Sequence, residues 1–63
     1  MLTIERLAAR YMRKHPEIEI YLDDFNEYSE MYHVFVGRVG ELGNWYLFHT
    51  VADFREWLRE VEL

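Results

Sequence analysis

Glu17-Ile18-Glu19-Ile20-Tyr21-Leu22-Asp23 changes character at almost every step. In an extended chain Ile18, Ile20 and Leu22 point one way, and Glu17, Glu19, Tyr21 and Asp23 point the other. This is the pattern of a strand with one face in a core and one face in water. The rest of the fold follows from what pairs with this strand and what covers its apolar side.

Upstream, Ile4, Leu7, Ala8 and Tyr11 recur at i, i+3, i+4 and i+7, the stripe of an amphipathic helix. Thr3 is placed to cap it. Pro16 disfavours helical geometry at His15, so the helix is expected to stop near Lys14. Arg13 and Lys14 then lie in a last turn, where the helix dipole favours cations. Downstream, residues 24–30 are polar with isolated aromatics and read as a loop. Tyr32-His33-Val34-Phe35-Val36-Gly37-Arg38-Val39 and the stretch from Trp45 to Thr50 are β-branched and aromatic, two further strands. Between them, a three-residue loop with Gly43 in the left-handed conformation is expected to close a hairpin. Thr50 then starts a second helix, with Asp53 as a capping-box partner. Phe54, Trp57, Leu58 and Val61 repeat the helical stripe. The expected fold is a single α+β domain over residues 1–63, ordered α-β-β-β-α. A three-stranded antiparallel sheet carries both helices on one face.

That order leaves the other face of the sheet bare. The first strand alternates, but the hairpin is apolar on both sides. Tyr32, Val34, Val36, Tyr46 and Phe48 line one side. Phe35, Val39, Trp45 and Leu47 line the other, with His33 and His49. Whichever set joins Ile18, Ile20 and Leu22 in the core, the remaining set puts large rings beside Tyr21 and the strand carboxylates. Exposed apolar patches of this kind mark interaction sites. The competing arrangement folds residues 24–30 over the face, with Phe25 and Tyr28 as lids.

A chain of 63 residues buries only about 60% of the surface its unfolded form exposes, so its core is thin. Aromatic residues, 17% of the chain, compensate, because each brings roughly 150–250 Å² of surface. The absence of cysteine excludes disulfides, thiolate zinc sites and thiol nucleophiles. The opening Met1-Leu2-Thr3-Ile4-Glu5 predicts neither a leader nor a membrane span, and hence residence in the cytoplasm.

A net charge of −5 argues against general affinity for nucleic acid or anionic lipid. The charge is also uneven. Residues 1–15 carry Arg6, Arg10, Arg13 and Lys14 against Glu5 alone, whereas the remainder carries three basic and eleven acidic groups. Arg6, Arg10 and Arg13 share one side of the first helix, an ordinary solvated face or a contact for phosphates or an acidic protein. The acidic groups are more numerous. Glu17, Glu19 and Asp23 sit on one strand side, Asp24, Glu27 and Glu30 continue the run, and Asp53, Glu56 and Glu60 share a flank of the second helix. Such rows resemble the charge array of a nucleic-acid strand and suit a protein partner with a basic groove. With Tyr21 as an aromatic anchor, they are the expected partner-binding residues.

No catalytic residue, cofactor or metal ligand is expected. Ser29, the only serine, stands among carboxylates that oppose an alkoxide. The glycines at 37, 40 and 43 belong to one hairpin and form no phosphate loop. His33 and His49 lack the close spacing of a dedicated metal pair, and residues 23–27 lack the glycine of a calcium loop.

The α-β-β-β-α order resembles the double-stranded-RNA-binding domain, whose second helix begins with a basic tract that grips phosphates. Here those positions read Thr50-Val51-Ala52-Asp53, with no lysine. In size, acidity, lack of cysteine and element order, the chain also resembles the small acidic inhibitors of phages and mobile elements, anti-CRISPR proteins among them. That resemblance implies a DNA mimic that blocks a nucleic-acid-handling protein. The rival expectations are a module that dimerises through the bare sheet face, and a nucleic-acid binder using Arg6, Arg10 and Arg13.

Overall fold

The computed structural model describes all of residues 1–63. Helix α1 (Ile4–Lys14) leads into strands β1 (Ile18–Asn26), β2 (Met31–Arg38) and β3 (Asn44–Phe48), and helix α2 (Val51–Glu60) follows. The sheet is antiparallel, in the order β1-β2-β3. Both helices open on threonine caps. The Thr3 hydroxyl accepts the Arg6 N–H at 3.1 Å, and the Thr50 hydroxyl accepts the Asp53 N–H at 3.1 Å. Each such cap stabilises its helix by about 1 kcal/mol. As Pro16 dictates, α1 ends at Lys14, and the His15 N–H donates to the Tyr11 carbonyl at 2.9 Å.

The register decides which hairpin face is buried. Ile20 pairs with Val36 and Leu22 with Val34, while Val34 pairs with Tyr46 and Tyr32 with Phe48. Directly opposed residues share a face. The alternating set of β1 therefore draws Val34, Val36 and Phe48 inward. They join Ile4, Leu7, Ala8, Ile18, Ile20 and Phe54 in a single core. Phe54 has no exposed surface. Its ring meets Phe48 edge-on at 5.1 Å, and Trp57 packs on Phe48 at 5.4 Å and on Tyr46 at 4.8 Å. These aromatic contacts fasten α2 to β3, and α1 lies over β1. Met12 also guards the open edge of β1, where its Sδ accepts the Ile20 N–H at 3.4 Å.

Two expectations need correction, and the competing lid arrangement does not form. Residues 24–30 are not all loop: β1 runs on to Asn26, and only residues 27–30 turn. A bulge between Leu22 and Asp24 leaves Asp23 without a partner and pairs Asp24 with His33. The extra residue breaks the alternation by which a strand is read. Nor do Phe25 and Tyr28 form lids. Phe25 packs on Tyr32 at 4.9 Å, on the helix side of the sheet, and Tyr28 projects fully into solvent. Finally, the left-handed glycine of the β2–β3 connection is Gly40, with φ 83°, not Gly43. The Glu41 N–H donates to the Arg38 carbonyl at 3.0 Å, which makes Gly40 the third residue of a tight turn, where positive φ demands glycine.

Candidate functional site

Tyr21, Phe35 and Trp45 are direct cross-strand partners, one on each strand, on the side of the sheet away from the helices. Their rings form a continuous row. Tyr21 stacks beside Phe35 at 6.1 Å, and Phe35 meets Trp45 edge-on at 5.5 Å. Phe35 is half-buried between its neighbours, over the bare backbone of Gly37 and Gly43. Tyr21 and Trp45 keep 56% and 60% of their surface in solvent, and Leu47, one pair further along β3, keeps 52%. Nothing in the chain covers this row.

Carboxylates fence it on the β1 side. Glu19 precedes Tyr21 on the same face, opposite Gly37. Asp24 stands opposite His33, with Asp23 beside it in the bulge. The Asp24 Oδ1 accepts the Phe25 N–H at 2.7 Å, which fixes the carboxylate at the strand. Glu17 lies just before β1, with a carboxylate oxygen 3.7 Å from His15 Nδ1. Glu27 and Glu30 occupy the β1–β2 turn, which Asn26 holds by accepting the N–H groups of Tyr28 at 2.9 Å and Ser29 at 3.2 Å. Asp53, Glu56 and Glu60 are exposed on α2, in the other layer. A partner lying flat on the sheet does not reach them.

The two layers differ in charge. From residue 17 to residue 48 the chain has seven carboxylates and one cation, Arg38. The guanidinium of Arg38 donates to the Leu63 carbonyl at 2.9 Å, at the far end of β2. No cation therefore stands near the aromatic row. On α1 the balance reverses, with four cations against Glu5.

Phe35, Trp45 and Leu47 belong to the exposed face but are absent from the residues that charge alone selects. Their signal lay in a hairpin apolar on both sides, which a half-buried sheet does not need. The three histidines stand apart. His15 stacks on Tyr11 at 4.5 Å, His33 faces Asp24, and His49 lies beyond β3. No three His, Asp or Glu side chains converge on one point. No helix is long and apolar enough to cross a membrane. No family model, curated protein or solved structure matches the chain.

Proposed function

We propose that this chain is a protein-binding module, acting in the cytoplasm as an inhibitor or modulator of a nucleic-acid-handling partner, and that it docks through the bare face of its sheet. One observation carries the reading: the exposed Tyr21–Phe35–Trp45 row, spanning all three strands. Aromatic side chains on a rigid sheet lose little freedom on binding and supply the anchors from which interfaces draw most of their energy. The chemistry of the partner follows from the fence. An apolar centre meets the rings, and lysines or arginines meet Glu19, Asp23 and Asp24. A groove built for nucleic acid offers both groups.

Charge also separates this reading from self-association through the same face. Two copies pressed sheet to sheet bring two sets of carboxylates together, and the sheet layer has no free cation to place between them. Like charges held at an interface cost several kcal/mol, so a foreign basic partner fits better than a second copy.

The test is a pull-down from the native host with the wild-type chain and with Tyr21→Ala/Trp45→Ala in parallel. The expected result is a nucleic-acid-handling protein that the wild type captures, the variant loses, and added DNA or RNA displaces. Undiminished capture by the variant overturns the reading, as does a partner that holds the chain and nucleic acid together without interference.

A further inference from the structure

On the opposite side of the molecule, α1 and α2 pack against each other and leave a groove of about 260 Å³ between them. Arg10 and Lys14 from α1 and Arg55 and Arg59 from α2 border it, and Leu7, Tyr11 and Leu58 form its floor. All four cations are exposed, and none has a carboxylate within ion-pairing distance or a hydrogen bond inside the chain.

This arrangement is unfavourable in the isolated molecule. Arg10 and Lys14 are four residues apart on one helix, as are Arg55 and Arg59 on the other, and like charges at that spacing repel. The fold then sets the two pairs across a common groove. Each helix has carboxylates, Glu5 on α1 and Asp53, Glu56 and Glu60 on α2; Glu56 shares a hollow with Arg55 and Arg59, yet none of them forms an ion pair with any of the four. A chain of net charge −5 thus gathers most of its cations around an apolar strip.

We infer that the groove binds an acidic amphipathic peptide segment of a partner protein, with the apolar side of the segment on Leu7, Tyr11 and Leu58 and its carboxylates on the two cationic rims. The apolar floor selects this occupant over a phosphate backbone. A nucleic-acid strand uses the cations but leaves the floor uncovered, and the carboxylates of the sheet layer repel a long polyanion. A helical segment with leucines at i, i+3, i+4 and i+7 satisfies floor and rims together. At 1.5 Å per residue, the lining spans about 10 Å of α1, from Leu7 to Lys14, and about 6 Å of α2, from Arg55 to Arg59, so roughly two turns of partner helix cover it. The inference is independent of the sheet face, which attracts the opposite charge.

The probe is a fluorescein-labelled peptide of about twelve residues, three turns long, with leucine at those positions and glutamate at the others. The comparison probes are the same peptide with alanine for leucine, and a single-stranded oligothymidylate of equal charge. Fluorescence anisotropy is expected to show saturable binding of the leucine peptide, weakened at least about tenfold for the alanine peptide. Arg10→Gln/Arg59→Gln, with its fold checked by circular dichroism, is expected to lose as much. Tyr21→Ala/Trp45→Ala is expected to bind the peptide like the wild type, so failure here is distinct from failure at the sheet face. Equal affinity for the leucine and alanine peptides overturns the inference. So does oligothymidylate binding as tight as that of the leucine peptide, or an Arg10→Gln/Arg59→Gln variant that binds it undiminished.

Discussion

The ring of Phe35 lies so close to Gly43 that a Cβ at that position would stand 2.6 Å from Cζ of the ring. The same Cβ would meet the Val36 carbonyl oxygen at 2.5 Å and Cα of Gly37 at 2.8 Å, and neither backbone atom has room to give. The central ring of the exposed row is thus seated on main chain, and the seat exists only because both neighbours lack side chains. Gly43→Ala is expected to cost about 1–3 kcal/mol, the range for overpacking. It should also loosen the Phe35–Trp45 pair. Urea unfolding measures the first, and near-ultraviolet circular dichroism the second. Gly40→Ala meets no atom within 4 Å, so only its positive φ is strained, and it should cost less.

Phe54 is the most heavily enclosed side chain of α2. Phe54→Ala is expected to lose about 3–5 kcal/mol. A domain of this size has only roughly 3–9 kcal/mol in total, at 0.05–0.15 kcal/mol per residue. The variant should therefore lose at least about a third of its stability, read as a sharply lower urea midpoint by far-ultraviolet circular dichroism. Trp45→Ala, on the exposed face, should stay folded.

Glu30 holds φ 55° at the end of the β1–β2 turn, a conformation costing a residue with a Cβ about 1–2 kcal/mol. Glu30→Gly relieves that strain and loses part of the gain to the freer unfolded chain. A net stabilisation of up to about 1 kcal/mol is expected, read as a higher urea midpoint at unchanged slope.

Deleting Asp23 is expected to be tolerated, although it lies inside a strand. The deletion removes the bulge, keeps Leu22 opposite Val34, and leaves Asp24 facing His33 and Phe25 facing Tyr32 without a slip. Stability should change by no more than the roughly 1 kcal/mol of an ordinary substitution. Amide exchange should show β1 protected through Asn26. Loss of protection beyond Leu22 contradicts this account of the bulge.

Steering and anchoring should separate kinetically once the partner is in hand. Glu19→Lys/Asp24→Lys is expected to slow association at low salt by about tenfold or more, because on-rate follows the summed field. Trp45→Ala should leave on-rate nearly unchanged and raise the dissociation rate about 30-fold, the equivalent of 2 kcal/mol for an aromatic anchor. Without a partner, light scattering at tens of micromolar should return the 7.8 kDa monomer mass. A twofold mass would favour self-association through the sheet.

The elements and their order were legible along the chain, because each is set by short-range physics. The 3.6-residue stripes, the Thr3 and Thr50 caps, the break at Pro16 and the alternation from Ile18 to Leu22 all act within a few residues. The remaining features depend on contacts between distant segments. A strand such as β2, apolar on both sides, has no face preference of its own, and pairing with Ile20 and Leu22 turned Val34 and Val36 inward and Phe35 outward. One unpaired residue, Asp23, hid the end of β1, because a bulge restores the register only when the opposite strand is present. The same holds for Arg10, Lys14, Arg55 and Arg59. They read as separate helix flanks along the chain and become one cationic groove only when α1 and α2 pack together, because charge repulsion depends on distance in space, not on separation along the chain.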